Sequence, residues 1–251
     1  MNPCLLIPVY DHGETIGGVV RALSPYRLPL IVVDDGSGEP TRRELDALAA
    51  LHPWLELHRR PGNGGRGAAL RDGYRHAARR GFSHALQLDA DGQHDPADVG
   101  RLLEAASDRP DVLVLGRPVF DSSAPRSRIY GRKLSQVLVW LETLSFAIGD
   151  PLCGFRCFPL APTVALLSER ELGDHMEFDP EIAVRLVWRG VPVVNVPTRV
   201  VYPSGGLSHF APVRDTLRIA GVHARLVVGM LLRSPRLIAR WSRGRRVRSR
   251  E

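Results

Sequence analysis

Short apolar runs alternate along most of the chain with segments in which apolar residues recur every three or four positions. The runs have the length of buried strands, and the other segments have the periodicity of amphipathic helices. Strands are predicted at residues 4–9, 28–33, 54–58, 85–88, 111–115 and 191–196. Helices are predicted at residues 14–23, 40–51, 68–80, 96–106, 179–188 and 213–232. This alternation predicts an α/β fold, a mostly parallel, Rossmann-like sheet flanked by helices on both faces.

Polar and glycine-rich segments follow the first four predicted strands, at residues 10–11, 34–35, 62–67 and 89–93. In parallel sheets, ligands bind beyond the carboxyl ends of the strands. All four segments lie at such ends, so we expect them to form a single site.

Asp89 and Asp91 are the most distinctive of these residues, because they are spaced two apart at the end of an apolar run. Alternate side chains of an extended chain point to the same side, so these carboxylates would repel each other unless a cation lies between them. Mg²⁺ or Mn²⁺ prefers oxygen ligands and often shares them with substrate phosphates. Gln93 could add a carbonyl oxygen and His94 an imidazole. The alternative is a solvated acidic turn in which Asp95 caps the next helix.

The glycine-rich turn allows a different interpretation. Gly62, Gly64 and Gly67 match the dinucleotide-binding spacing, and Asp89 follows at about the distance of a ribose-binding acid, so an NAD-dependent oxidoreductase is one alternative. That fingerprint normally follows the first strand of its unit, whereas two strand–helix units precede it here. We therefore interpret the turn as a flexible loop whose backbone N–H groups and Arg66 approach a nucleotide.

The length and composition are those of an ordinary α/β protein. With 251 residues, the chain is long enough for one domain with an appendage. Cys4, Cys153 and Cys157 form no metal-ligand pattern and no even disulfide set, which favours a reducing compartment. No basic-then-apolar leader opens the sequence, and no run of about 20 apolar residues would span a bilayer. We therefore expect a cytoplasmic location.

The formal net charge of +7 is concentrated near the C-terminal end. Eight arginines lie there: Arg233, Arg236, Arg240, Arg243, Arg245, Arg246, Arg248 and Arg250. Such a segment favours an anionic membrane surface or a nucleic acid, or is a solvated end. Because Trp241 is the only aromatic residue among these arginines, we expect a membrane surface and no nucleic acid. A non-catalytic nucleic-acid-binding protein is the alternative.

Motifs that occur in order along residues 3–210 resemble glycosyltransferase family 2, and within it the polyprenyl (dolichyl) phosphate mannose synthases. The motifs are Pro8-Val9-Tyr10 with Glu14, Val32-Val33-Asp34-Asp35-Gly36-Ser37, Asn63-Gly64-Gly65-Arg66-Gly67-Ala68-Ala69-Leu70, Leu88-Asp89-Ala90-Asp91-Gly92-Gln93-His94, Gly116-Arg117, Gly154-Phe155-Arg156 and Glu177-Phe178-Asp179-Pro180-Glu181. The resemblance implies a GT-A fold, a UDP- or GDP-sugar donor, a divalent metal (Mg²⁺ or Mn²⁺) and inversion at the anomeric carbon.

The resemblance also implies roles for individual residues. The nucleotide-sugar contacts correspond to Pro8, Tyr10, Glu14, Asp34, Asp35, Asn63, Arg66, Asp89, Ala90 and Asp91. The metal ligands correspond to Asp89, Asp91 and Gln93. The chain departs from the family pattern at two places. The usual Gly-Lys-Gly is Gly65-Arg66-Gly67, and the usual Gly-Ser-Arg after the fifth strand is Leu115-Gly116-Arg117.

Sugar transfer also needs a neutralised leaving group and an activated acceptor. Asp91 contributes through the metal that neutralises the departing diphosphate. An attacking hydroxyl needs a base on the opposite face of the sugar, for which Asp179 and Glu181 are candidates; each could instead complement a helix dipole. A phosphate acceptor needs cations rather than a base. The candidate cations are Arg117, Arg132 and Arg156, with Arg126, Arg128 and Lys133 nearby. The alternative is that the basic residues between 117 and 133 form a solvated helix face.

The last third of the sequence concerns the acceptor. Residues 200–210 form a glycine-rich loop, and in the resembling family such a loop closes over phosphates, which implies contacts from Ser208 and His209. The apolar helix at 213–232, followed by arginines, is typical of the membrane interface, and packing against the domain is the alternative. We therefore predict a catalytic domain at 1–210 and a membrane-surface appendage at 211–251. The expected acceptor is a lipid or polyprenyl phosphate at the inner face of the membrane, and a catalytically silent scaffold is the remaining alternative.

Overall fold

The computed structural model describes residues 1–120, 126–200 and 211–248, with the backbone alone described at 126–129, 236 and 240–248. The strands in these ranges are β1 (Pro3–Val9), β2 (Leu30–Asp34), β3 (Leu55–Arg59), β4 (His84–Gln87), β5 (Leu113–Phe120), β6 (Arg156–Pro159) and β7 (Val193–Val200). The helices are α1 (Gly13–Leu23), α2 (Glu39–Leu51), α3 (Arg66–Arg79), α4 (Asp98–Asp108), α5 (Arg126–Thr143), α6 (Leu160–Glu169), α7 (Phe178–Arg189) and α8 (Pro212–Arg248).

The strands form one sheet in the order β3-β2-β1-β4-β6-β5-β7. β6 runs antiparallel to both of its neighbours, and the other paired strands are parallel. The predicted α/β class with a mostly parallel sheet is confirmed. Because β3, β2, β1 and β4 are adjacent and parallel, the segments that follow them leave the sheet at one edge.

Two apolar cores cover the two faces of the sheet, because alternate strand residues point to opposite sides. Leu5, Ile7 and Val32 face α1, α2 and α4. Leu6 and Val33 face α3, α6, α7 and parts of α5 and α8. Nearly every residue of β1, β2 and β4 is therefore buried, which explains the continuous apolar runs of the sequence.

Several element boundaries differ from the predicted ones. The helix predicted from residue 96 begins at Asp98, and Asp95 Oδ1 instead accepts a hydrogen bond from the Ala97 N–H at 3.0 Å. Asp95 therefore closes a turn before α4 and does not cap the helix. The strand predicted at 111–115 extends to Phe120, because β5 pairs with β7 along its whole length, from Leu113 to Phe120.

β6 and α6 have no counterpart among the predicted elements, and α5 is anticipated only as a possible helix face around its arginines. β6 consists of four residues, including Arg156 and Pro159, and it lacks the alternation of a half-buried strand. It is nevertheless fully buried because it pairs with β4 on one side and β5 on the other. A short strand of this kind is stabilised by its neighbours rather than by its own pattern.

α8 continues well beyond the predicted end at residue 232 and passes through Pro235. Val222, Leu226, Met230 and Leu237 on one side of α8 are buried in the core shared with α5 and α7. α8 is thus partly packed against the preceding residues, and the domain boundary at 210 remains a prediction. Among the helices of the described ranges, none combines the length and apolar character needed to cross a bilayer.

Candidate active site

The glycine-rich loop after β3 is held by Asp35, which follows β2. Asp35 Oδ1 accepts the Gly64 N–H at 3.0 Å, Oδ2 accepts the Gly65 N–H at 2.8 Å, and Arg60 pairs with the same carboxylate. Asn63 is exposed beside these glycines. Because Asp35 already takes two of the loop's N–H groups, they cannot cradle a dinucleotide pyrophosphate in this conformation. The geometry therefore counts against the oxidoreductase alternative.

The other predicted nucleoside contacts lie at the ends of β1 and β2. Pro8 is buried within β1, Tyr10 is half-buried just after it, and Glu14 is exposed in the first turn of α1. Asp34 is buried, and its Oδ1 accepts the Ser37 N–H at 2.9 Å. Tyr10 and Glu14 therefore present accessible side chains, whereas Asp34 stabilises the turn after β2.

Arg66, the first residue of α3, connects two carboxylates from distant parts of the chain. Its Nε and Nη2 donate to Asp89 Oδ1 at 3.2 and 2.6 Å, and its Nη1 donates to Asp179 Oδ2. The Arg66 side chain is 14% exposed and that of Asp179 only 6%. We call Arg66, Asp89 and Asp179 the strand-end cluster. It joins α3, the segment after β4 and the first turn of α7.

The opposite charges of this cluster stabilise one another's ionised forms. Burial alone would lower the pKa of Arg66, but Asp179 and Asp89 outweigh burial and raise it, so the guanidinium stays protonated. Burial alone would raise the pKa of Asp89, but Arg66 and His94 outweigh it and hold the pKa well below its usual range. Asp89 is therefore ionised and available as an oxygen ligand.

Asp91 lies beside the strand-end cluster, and its pKa is shifted in the direction opposite to that of Asp89. Its Oδ1 accepts the Gln93 N–H at 3.0 Å. Burial, and then the negative charge of Asp89, raise the pKa of Asp91. The intervening Ala90 is buried, and its carbonyl accepts the Thr15 hydroxyl at 2.7 Å. The negative charge of Asp89 therefore disfavours a second negative charge at Asp91, and a cation between the two carboxylates would relieve this repulsion.

These residues fit a divalent metal that shares its ligands with a substrate. Asp89, Asp91 and the Gln93 amide offer the oxygen ligands that Mg²⁺ and Mn²⁺ prefer. Within the described ranges, no three His, Cys, Asp or Glu side chains are gathered closely enough to hold an ion on their own. His94 Nε2 lies 3.5 Å from Asp89 Oδ2, so its imidazole supports the carboxylate. The donor set therefore suits an ion completed by phosphate oxygens rather than a closed protein cage.

Only one of the two predicted acids of α7 belongs to the strand-end cluster. Asp179 Oδ1 is buried, has no hydrogen-bond partner among the described residues, and lies 3.7 Å from Arg156 Nη1. Glu181 instead accepts from Arg185 at 2.7 Å and from the Gly173 N–H at 2.9 Å. Residues two apart on a helix do not share a face, which explains why these acids have different partners.

The predicted acceptor-binding arginines have different surroundings. Arg117 is exposed on β5, and Arg132 Nη1 lies 2.9 Å from both carboxylate oxygens of Asp150. Arg156 has no solvent exposure; its Nε, Nη1 and Nη2 donate to the carbonyls of Cys153, Asp179 and Pro151. Arg156 thus holds the segment before β6 against α7, and its guanidinium cannot reach an acceptor in this conformation. Ser208, His209 and the side chains of Arg126 and Arg128 lie outside the described residues.

Gly154 is a site residue to which the sequence assigns no role. A Cβ atom at this position would lie 2.0 Å from Asp89 Oδ2 and 2.7 Å from Arg66 Nη2. The Gly154 carbonyl accepts the Gln87 side-chain N–H at 2.8 Å, which fixes the segment against β4. The signal available in the sequence is a glycine directly before Phe155-Arg156, since glycine permits close approach to a charged group.

α5 and α8 also carry exposed apolar side chains at helical spacing. Those of α5 are Tyr130, Leu134, Val137 and Leu141. Those of α8 include Val213, Leu217, Val228, Leu231, Leu232 and Ile238. We call these two sets the apolar stripes. Each stripe is on the side of its helix opposite to the buried residues of that helix.

Known proteins resemble this chain in sequence and in fold. Residues 4–168 match the model of the family described as Glycosyl transferase family 2. A polyprenol monophosphomannose synthase from Mycolicibacterium smegmatis is 35% identical over 202 residues, which cover 77% of this chain and 75% of that protein. An undecaprenyl-phosphate mannosyltransferase from Micrococcus luteus is 34% identical over 248 residues, covering 90% and 99%.

Among solved structures, the fold resembles that of a mannosyltransferase from Pyrobaculum calidifontis in complex with GDP-Man and Mn²⁺. The TM-score is 0.56 with 16% identity, over 95% of this chain and 73% of that one. This likeness confirms the GT-A fold that the sequence motifs imply.

Proposed function

Because the chain belongs to glycosyl transferase family 2 and is a glycosyltransferase, we propose that it transfers a sugar, with inversion, from a nucleotide-sugar donor to a lipid-borne phosphate. The observation that carries this proposal is the strand-end cluster with Asp91 beside it. Buried charges of both signs at the carboxyl ends of parallel strands suit the polar end of a nucleotide ligand. The NAD-dependent alternative finds no support in this arrangement.

The donor diphosphate binds at Asp89 and Asp91 in this proposal. These two carboxylates and Gln93 would hold a Mg²⁺ or Mn²⁺ ion, which when bound supplies Lewis-acid neutralisation of the departing diphosphate. Arg66 adds a fixed positive charge that is already oriented by Asp89 and Asp179. The GDP-Man and Mn²⁺ bound to the Pyrobaculum calidifontis enzyme support the choice of ligand and ion.

Asp179 is the carboxylate that we place nearest the reacting sugar. One of its oxygens orients Arg66, and the other is buried without a hydrogen-bond partner in the described residues. Glu181 anchors α7 through Arg185 and Gly173, so we do not assign it the role of base. A phosphate acceptor is already a nucleophile, and Asp179 would then position groups rather than remove a proton.

In this proposal, the acceptor phosphate binds near exposed cations on β5 and α5. Arg117 is exposed on β5, and Lys133 is exposed on α5 one residue after Arg132. Guanidinium and ammonium groups bind phosphate oxygens through charge-assisted hydrogen bonds. The names of the two relatives, which refer to polyprenol and undecaprenyl-phosphate, support a long-chain lipid phosphate as the acceptor.

A lipid acceptor requires the enzyme to meet a membrane. The apolar stripes of α5 and α8 would enter the interfacial region, and the arginines near the C-terminal end would bind anionic headgroups. We therefore propose a peripheral enzyme at the inner face of the membrane, with residues 211–251 and α5 forming the contact.

The test is a transfer assay with the full chain, vesicles containing polyprenyl phosphate, and a panel of GDP- and UDP-sugars. We expect one donor to give glycolipid when Mg²⁺ or Mn²⁺ is present and none when EDTA replaces the metal. The same donor should also raise the melting temperature. At a hundredfold excess over its dissociation constant, the bound donor adds about 2.7 kcal/mol to the free energy of unfolding. If no nucleotide sugar stabilises the protein, the donor proposal is wrong. If a donor binds but no glycolipid forms with any donor of the panel, the acceptor proposal is wrong.

A further inference from the structure

A cavity of about 340 Å³ lies among α6, α7 and α8, away from the strand ends. The end of α6 contributes Leu166, Glu169 and the adjacent Arg170. α7 contributes Arg185, Trp188 and Arg189, and α8 contributes Arg233. The volume is comparable to that of a small-ligand pocket.

The charges around the cavity are unbalanced. Its wall carries four arginines and one glutamate, a surplus of three positive charges, or of two when Glu181, the partner of Arg185, is included. Glu169 pairs with Arg189. Arg170 is exposed and has no ion pair with any described residue. Several guanidinium groups that converge on one concave surface favour an anion.

Trp188 forms the floor around which these cations are arranged. Its ring lies 4.7 Å from the Arg233 guanidinium carbon and 5.9 Å from that of Arg185. A Cβ atom at Gly229 of α8 would lie 2.6 Å from Trp188 Cη2, so α8 reaches the ring only because residue 229 is glycine. The side chains of three helices are thus brought together by close packing.

We propose that this cavity binds a phosphoryl group, a phosphate or diphosphate, at a site separate from the donor site. The ligand oxygens would pair with Arg170, Arg189 and Arg233, and Trp188 would exclude water from one side. The group is supplied either by an anionic phospholipid headgroup or by a soluble phosphate compound.

The position of the cavity separates it from the proposed reaction. Asp179 is in the first turn of α7, whereas the cavity is lined by residues six to ten positions later, about 9–15 Å along the helix axis. The proposal therefore does not depend on sugar transfer. A bound anion would connect α8 to α6 and α7, and hence stabilise the attachment of α8.

The first experiment measures the binding of inorganic diphosphate to the full chain by calorimetry in EDTA. The variant Arg170→Gln/Arg189→Gln removes two cavity charges, and Arg42→Gln/Arg43→Gln removes two exposed charges from α2 as a matched control. Each double variant removes one arginine that forms an ion pair with an exposed glutamate: Arg189 with Glu169 in the cavity variant, and Arg43 with Glu39 in the control. We expect the cavity variant to weaken binding about tenfold, and the control to remain close to the wild type.

The second experiment identifies the source of the phosphoryl group by co-sedimentation with vesicles of phosphatidylcholine, with and without phosphatidylglycerol. Weaker binding of the cavity variant than of the control to the anionic vesicles indicates a lipid headgroup. Equal vesicle binding, together with the loss of diphosphate affinity, indicates a soluble phosphate. The proposal is overturned if both variants lose diphosphate binding equally, since the attraction is then diffuse, or if neither variant loses it, since the site is then elsewhere.

Discussion

Two clusters of polar side chains, one at the strand ends and one between α5 and α8, each contain a carboxylate but differ in position and in access to solvent. In the strand-end cluster, Arg66 lies between Asp89 and Asp179. In the second, Glu142 Oε1 lies 2.7 Å from His223 Nδ1, and His223 Nε2 lies 3.3 Å from the Ser135 hydroxyl. We call this second group the helix cluster. Both clusters include a buried carboxylate oxygen without a hydrogen-bond partner among the described residues.

The helix cluster has the order of partners found in serine hydrolases, yet its surroundings do not suit catalysis. Glu142 has no solvent exposure, and His223 and Ser135 are 4% and 6% exposed. All three lie between two packed helices, so a substrate has no route to the Ser135 hydroxyl. The strand-end cluster lies instead where loops diverge from the sheet. The comparison teaches that access and position, rather than side-chain types alone, distinguish a reactive site from a structural one.

The largest effect is expected for Asp91→Asn. The variant keeps the shape of the side chain but removes a charge that would help to hold the ion, so we expect sugar transfer to fall about a thousandfold, which corresponds to several kcal/mol. Glycolipid formation and donor-induced changes in melting temperature measure this. Asp95→Asn is the control, because Asp95 closes a turn nearby. Equal activity of Asp91→Asn and wild type would remove Asp91 from the proposed site.

The helix cluster is expected to respond through stability rather than catalysis. His223→Ala would leave Glu142 as an unpaired buried carboxylate, and we expect a loss of about 3 kcal/mol in the free energy of unfolding. Denaturant unfolding measures it, with Arg225→Ala on the exposed side of α8 as the control. Donor affinity below the transition should be unchanged. A variant with normal stability but no sugar transfer would instead show that the helix cluster takes part in the reaction.

Gly154→Ala tests how closely the strand-end cluster is packed. The added methyl group would collide with Asp89 Oδ2, so we expect donor affinity to fall about tenfold, a cost typical of overpacking. Gly131→Ala on α5 is the matched control, since a Cβ there has no neighbour within 4 Å. Donor titrations followed by thermal shift compare the two. Similar donor affinity in both variants would mean that the cluster rearranges easily.

The smallest effect concerns the thiol next to Gly154. Burial raises the pKa of Cys153 to about 12, and burial likewise raises the pKa of Cys4 to about 12. Since only the thiolate reacts, each thiol is almost entirely in its unreactive form at pH 8. We expect neither cysteine to be alkylated in the native protein and both to react in denaturant, as mass spectrometry would show. Faster alkylation of Cys153 than of Cys4, suppressed by donor, would reveal opening of the strand ends.

Much of the fold is predictable because the buried faces of helices and strands are apolar, so burial determines where apolar residues occur in the sequence. The runs that became β1, β2 and β4 are continuous because both faces of the sheet are covered. The acids after these strands could be assigned to one edge, since parallel neighbours end on the same side. β6 escaped prediction because its four residues owe their burial to β4 and β5 rather than to their own pattern.

The sequence by itself determined the family, the parallel half of the sheet and the position of Asp89 and Asp91 at a strand end. Only the tertiary structure decided which groups the charged side chains meet: Arg66 pairs with Asp179, Glu181 pairs with Arg185, and Arg156 donates to buried carbonyls. The physical reason is the separation along the chain of the residues that interact. Periodicity and strand-end chemistry are local, whereas Arg66 and Asp179 are 113 positions apart and are brought together only by the packing of α3 against α7.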